Sequence, residues 1–251
     1  MPRSLANALL VLTAMVWGSV FIAQEWAAEI IGPFSFNGVR FLIGAVLLLP
    51  LGYWEYRRHP LTFQDLGGSG ILLLIGLGLS LGLGSAMQQA GIGMTTTANS
   101  GFLTTLYVPM VPIIALLVLR QSVRWIILPA VVLCCIGTYL LAGGANLLAG
   151  ATDPTQALGD LITIGCAAIF AIHILLIQAF MRRHPTPFQA SIIQAAIGSL
   201  LTLPVGLFAE GLTTDIVSAT IQYTAYGAIM SVVIGFSLQL FDEERRRKNP
   251  S

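Results

Sequence analysis

The sequence predicts an all-α fold, a polytopic bundle of eight transmembrane helices arranged as an inverted five-helix repeat whose second copy holds three of its five helices. Three observations predict it. Of 251 residues, 56% are hydrophobic and 9% charged, too little polar surface to face water on all sides. No charged side chain occurs in 66–119, 125–152, 161–181 or 216–241. Each run can cross ~30 Å of hydrocarbon, and the first can do so twice. Finally, PFSFNGVRFLIGAVLLLPLG at 33–52 returns 154 positions later as PFQASIIQAAIGSLLTLPVG at 187–206, with 8 of 20 positions identical.

Divided at charges and turn residues, the apolar segments are 7–28, 34–53, 71–90, 96–119, 123–142, 159–181, 188–209 and 221–241. None alternates in the manner of a membrane strand, so each is read as a helix. The first follows Arg3 like the start of a signal peptide. Its apolar run exceeds an ordinary signal core and no small-x-small site follows, so it is expected to stay as a span. The second is the first member of the duplicated pair. The third carries Gly76, Gly78, Gly82 and Gly84. No strand precedes them and their spacing is not G-x-G-x-x-G, so they are expected to be contact surfaces between helices, not a phosphate loop.

In the fourth segment, Pro109 and Pro112 free backbone carbonyls near the centre, which predicts a kink lining a cavity or an ordinary packing bend. The fifth and sixth hold Cys134, Cys135 and Cys166, an odd number without metal spacing, expected as buried small apolar residues. The seventh is the second duplicated helix. The eighth ends in GFSLQ (235–239), much as the third ends in GSAMQ (84–88).

Orientation follows from the basic residues, which are retained in the cytoplasm near span ends. Arg3, Arg57, Arg58, Arg120, Arg124, Arg182, Arg183 and the cluster 245–248 fall at the N-terminus, in alternate loops and at the C-terminus. The four remaining loops contain only the acidic Glu29, Asp153, Glu210 and Asp215. Both termini are therefore expected in the cytoplasm, and the duplicated helices run in opposite directions. The copies are assigned to 5–143, with five helices, and 156–241, with three, followed by a charged cytoplasmic tail, 242–251. GCAAIFAIH at 165–173 lies against LTAMVWGSV at 12–20, which sets Phe170 opposite Trp17. An inverted repeat is the build of a secondary transporter, with its solute site near the bilayer midplane.

Trp17, Gly18, Ser19 and Phe21, with Arg40 and Phe41 in the second helix, resemble the drug/metabolite transporter superfamily, and in particular its EamA-type transporters. The likeness extends through 95–120, GTYLL at 137–141 and 159–183, and covers nearly all of 5–240. It implies ten helices in two inverted five-helix repeats and the movement of small metabolites or drugs across the bacterial inner membrane. Measured against that pattern the chain reads as C-terminally shortened, lacking the ninth and tenth helices. Arg120 and Gln121 replace the Gly-Glu often found after the fourth helix.

Four residues are candidates for substrate binding. Trp17, Tyr107 and His173 lie near the middle of their spans, and Ser19 adjoins Trp17 in the resembling motif. Each also has a plain structural reading, as a packing aromatic or as a histidine satisfying a nearby carbonyl. Arg40 is the basic residue inside a span, ~10 Å below the outer end of its helix. An unpaired guanidinium there costs at least ~3 kcal/mol, so Glu25 is its expected partner, as an ion pair or a gate. Gln88 joins Arg40 in the outer half, while Gln194 and Gln239 occupy mirrored inner positions. They form either paired gates or interhelical hydrogen-bond glue. Asn37, Asn99 and Gln178 are weaker cavity candidates.

These features point to an exporter or facilitator of small neutral, zwitterionic or amphipathic metabolites or drugs, working by alternating access. No Asp or Glu sits at mid-depth, which disfavours cationic substrates. A truncated, non-transporting remnant or membrane interaction protein is the alternative. Remoter still is an intramembrane serine protease built on Ser100 and His173, which needs hydroxyl and imidazole within ~3 Å. No enzyme activity, cofactor or metal is expected. The expected partners are a small-molecule substrate and membrane lipids, the latter touching the 245–248 cluster. A homodimer is compatible with the sequence. The net charge of +1 suggests no nucleic acid.

Overall fold

The computed structural model describes residues 3–117, 120, 128–141, 153–236 and 238, and every regular element among them is helical. In order, α1 is Arg3–Ala28, α2 Pro33–Tyr56, α3 Phe63–Ile92, α4 Thr97–Thr104, α5 Tyr107–Leu117, α6 Leu128–Leu141, α7 Pro154–Arg183, α8 Pro187–Phe208 and α9 Thr214–Gly227. α9 runs on as a π-helical segment, Ala228–Phe236. Six spans are long and apolar enough to cross a membrane: α2, α3, α4 with α5, α7, α8, and α9 with its continuation. α1 and α6 stand where the other two expected spans lie, with 26 and 14 described residues. Gln239 and the tail 242–251 lie outside the described residues.

Local chemistry accounts for the helix boundaries. α2, α7 and α8 each begin with proline in the first turn, where its missing N–H forfeits no intrahelical bond. Asp153 caps α7 by accepting from Thr155 N at 3.1 Å. α3 opens on Thr62, whose Oγ1 accepts from Asp65 N at 3.2 Å. It then kinks at Gly67, whose φ of 55° suits a residue without Cβ. The proline-bearing fourth span breaks between α4 and α5 at Thr105 and Leu106, one turn before Pro109. That is where a proline ring clashes with the carbonyl four residues earlier; Thr105 O accepts instead from Val108 N at 3.0 Å. At the entry to the π-helical segment, Ser231 Oγ donates to Gly227 O at 2.5 Å, a side-chain bond of the kind that bends helices.

Apolar side chains cover the outside as well as the inside. Leu72 is 70% exposed, Leu200 74% and Phe208 90%. Such a surface is unfavourable in water and suited to lipid. The cysteine expectation holds in part: Cys166 is buried, whereas Cys134 is half-buried and Cys135 exposed. Cys135 shares an exposed face of α6 with Val132 and Tyr139, three residues before it and four after. An apolar residue in a membrane helix has no need of an interior, so hydrophobicity alone could not separate these positions.

The core joins α2, α3, α7 and α8 through Phe41, Leu48, Leu77, Leu81, Ile177 and Phe180. Its tightest seam is the duplicated pair itself. A Cβ on Gly38 would lie 2.7 Å from Leu203 Cα, and one on Gly206 would lie 2.7 Å from Ser35 Cα, so only glycine permits this approach. The glycines of α3 act likewise: a Cβ on Gly82 would come within 3.1 Å of Gly198 Cα.

Both ends of the seam carry a carboxylate. Glu55, at the end of α2, accepts from Gln189 N at 2.8 Å in the first turn of α8. Glu210, just beyond α8, accepts from Phe34 N at 3.1 Å and Ser35 N at 2.7 Å in the first turn of α2. Each helix of the pair thus supplies the anion that satisfies the orphan donors and positive dipole end of the other.

Candidate functional site

Between α1, α3, α4 and α7 lies a cavity of about 490 Å³. Helical spacing on α1 aims Trp17, Phe21 and Gln24 into it, since positions i, i+4 and i+7 share a face. Trp17 also packs on the π-helical segment, where a Cβ on Gly235 would meet Trp17 Nε1 at 2.0 Å. Phe170 of α7 lines the cavity and packs on Gly84 of α3 in the same manner, with a Cβ there 3.0 Å from the ring. Tyr107 enters at the first residue of α5, directly after the break, so the interruption beside Pro109 delivers its ring to the cavity.

His173 sits on the far wall, buried on α7. Its Nδ1 lies 2.9 Å from Ser80 Oγ on α3. Ser80 also lies 2.7 Å from Gly76 O. A hydroxyl has one proton, so when Ser80 donates to that carbonyl, Nδ1 is the donor to Ser80. A neutral imidazole held this way has a defined tautomer and a fixed ring plane.

A band of polar groups crosses the end of the cavity where α2 begins. Gln24 Nε2 donates to Gln89 Oε1 at 2.9 Å and to Gln88 Oε1 at 3.3 Å, and Gln89 Nε2 returns a bond to Gln24 O at 2.8 Å. Gln88 Nε2 donates to Thr104 Oγ1 at 3.3 Å, which ties α3 to α4. Asn37 Nδ2 donates to Ser85 O at 3.0 Å, and Arg40 Nη2 donates to Asn37 Oδ1. The Arg40 guanidinium carbon lies 5.3 Å from the Phe36 ring centre and 5.0 Å from that of Phe41, within cation–π range. Arg40 is only 3% exposed, and its Nε has no hydrogen-bond partner among the described residues.

Of the residues singled out from the sequence, Trp17, Arg40, Gln88, Tyr107 and His173 meet at this cavity. Ser19 does not line it; its Oγ accepts from Tyr226 OH at 2.7 Å and links α1 to α9. Glu25 is exposed, and no ion pair joins it to Arg40 among the described residues. Gln194 is fully buried in α8 away from the cavity, and neither amide atom has a partner among the described residues. Asn37 buttresses Arg40, Asn99 bonds Thr95 Oγ1 at 3.5 Å, and Gln178 is half-buried on α7.

Among the described residues the buried hydroxyl of Ser100 has no hydrogen-bond partner, so the Ser100–His173 pairing that a protease requires is not made. Sequence reasoning missed Gln24, Ser80, Ser85 and Thr104. Gln24 was legible from its i+7 relation to Trp17; the others needed the packing of α3 against its neighbours. Among the described residues, no group of three or more His, Cys, Asp and Glu is placed to hold a metal ion.

Lipid-facing helices around a partly polar internal cavity define a multi-pass membrane protein with room for a small solute. The chain belongs to the EamA-like transporter family, whose profile matches residues 4–143. It is 30% identical over 209 residues to an uncharacterized transporter of Archaeoglobus fulgidus, covering 82% of this chain and 59% of that protein. It is 27% identical over 228 residues to the uncharacterized transporter YetK of Bacillus subtilis strain 168, covering 88% of this chain and 66% of YetK. The chain thus spans about three fifths to two thirds of these relatives' lengths. A solved crystal structure with 19% identity superposes with a TM-score of 0.66 over 97% of this chain and 81% of its own, a likeness of fold.

Proposed function

We propose that this chain transports a small neutral, zwitterionic or amphipathic metabolite or drug across the bacterial inner membrane by alternating access, as an exporter or facilitator. The observation that carries this reading is the cavity at which Trp17, Arg40, Gln88, Tyr107 and His173 converge from four helices and the start of α5. Membership of a transporter family supports the class of activity.

Matched contacts support the inverted repeat. Trp17 on Gly235 repeats Phe170 on Gly84, Glu55 on α8 repeats Glu210 on α2, and both α2 and α8 contain an internal proline, Pro50 and Pro204. Copies at 5–143 and 156–241 with eight spans and cytoplasmic termini fit those pairings. In this reading Arg40 and Gln88 gate the outer half, and Gln194 and Gln239 gate the inner half.

The test is solute flux. The purified chain is reconstituted in liposomes and offered labelled amino acids, sugars and organic acids one at a time. Uptake of at least one, lost in Trp17→Ala and His173→Ala while both variants insert normally, is the expected result. Flux that both variants leave unchanged removes this cavity from the solute path.

A further inference from the structure

We propose that the cavity selects a small organic acid, binding its carboxylate at Arg40 and its apolar body against the aromatic rings of Trp17, Phe21, Phe102 and Phe170. This rests on the cavity being the solute site and adds the chemical class of the solute.

The argument is one of charge. Arg40 is the single charged residue of the cavity wall, which contains no Asp or Glu. Its bonded partner is the neutral Asn37, and the Phe36 and Phe41 rings offer faces but no counter-charge. Among the described residues Nε has no partner, so the protein leaves part of the guanidinium's donor capacity unused. A planar fork of N–H groups is matched by a carboxylate, which takes two parallel charge-assisted bonds.

The fold does not itself require a cation at this depth. The repeat-matched position on α8 is Gln194, a neutral amide that does not line this cavity. Asn37 also holds the guanidinium from one side by bonding both Pro33 O and Ser85 O through its own amide, which orients Oδ1 toward Arg40.

The rest of the wall decides what the carboxylate is attached to. Apart from the polar band and the side chains of Thr97, Thr105, His173 and Ser231, the lining is mostly aliphatic and aromatic, and about 490 Å³ falls within the ~300–1,000 Å³ of small-molecule pockets. An ammonium group would find no anion there, so a monoanion with an apolar body is favoured over a cation or a zwitterion. An anionic lipid has the same oxyanion-on-hydrocarbon chemistry, and the experiment separates the two.

The experiment titrates the purified chain in nonionic detergent, reading tryptophan fluorescence against a Trp17→Phe control. The probes are 3-phenylpropionate, 3-phenylpropionamide, phenethylammonium and phosphatidylglycerol. Saturable binding of the acid, at least tenfold tighter than the amide and with no response to the ammonium, is expected. Arg40→Gln should lose the preference for acid over amide while still binding the amide, which shows that it is folded. Arg40→Lys should retain a weakened preference. Equal binding of acid and amide by the parent chain overturns the carboxylate assignment and leaves the transport reading in place. Absence of binding by every probe counts against both. Saturation by phosphatidylglycerol that excludes the acid also overturns the proposal, by making the site a lipid site.

Discussion

The α2–α8 seam and the cavity beside it are both built from apolar helices, yet they solve opposite problems. In the seam, Gly38 and Gly206 bring backbones into contact, and Glu55 and Glu210 close the two ends. Along the cavity, aromatic side chains hold α1, α4 and α7 apart, and the polar groups of Gln24, Gln88 and Arg40 point between the helices. Small residues remove the spacing between helices, and large amphipathic ones create it. The alternating-access motion proposed above needs both, a rigid axis and a gap that can close.

The sharpest way to break the comparison is to force the seam apart. Gly206→Leu places a side chain against the Ser35 backbone, where neither helix can yield locally. It should cost about 3 kcal/mol or more. The result should be a chain that loses its monodisperse peak in size-exclusion chromatography. A variant as stable as the parent would mean that the seam is looser than its geometry.

Next in size is Trp17→Ala, which acts on the cavity and on one edge of the core. Flux should fall at least tenfold with a modest drop in thermal midpoint, because the indole lines the cavity and also packs against the core cluster. A large drop in midpoint would assign Trp17 to packing against Gly235 instead.

The two ends of the seam can then be compared with each other. Glu210→Gln and Glu55→Gln each weaken charge-assisted bonds to backbone N–H groups, at about 1.5 kcal/mol apiece. Glu55 is buried and Glu210 only partly so, hence Glu55→Gln should lower the thermal midpoint more. The reverse order would mean that burial does not set the strength of these caps. The smallest effect belongs to Ser19→Ala, which removes one bond from Tyr226 at the outward surface and should cost about 0.6 kcal/mol, with flux unaltered.

How far the site could be read in advance is clearest on α1. Trp17 and its neighbours were recognisable because an aromatic in mid-span is out of place, away from the membrane interface. The partner assigned to Arg40 was not, because Gln24 and Glu25 are adjacent and differ by about 100° of helix rotation. The structure buries Gln24 and exposes Glu25, so Arg40 meets neutral groups where a carboxylate was expected. Ser80 escaped notice for a similar reason. A serine in a glycine-rich helix has a local bond to make, and its meeting with His173 depends on how α3 lies against α7.

What one-dimensional information determined is what depends on solvent: the apolar segments and their helical state in lipid. Backbone polar groups must pair within each segment in hydrocarbon, so those outcomes follow from composition and length. Tertiary packing alone decided which faces meet, where Gln24 and Arg40 point, and that a cavity opens beside α1 with Arg40 but not Gln194 in its wall. Lipid is as apolar as leucine, so burial gives no hydrophobic guide to helix rotation. Close packing and the bonding of a few polar groups set it.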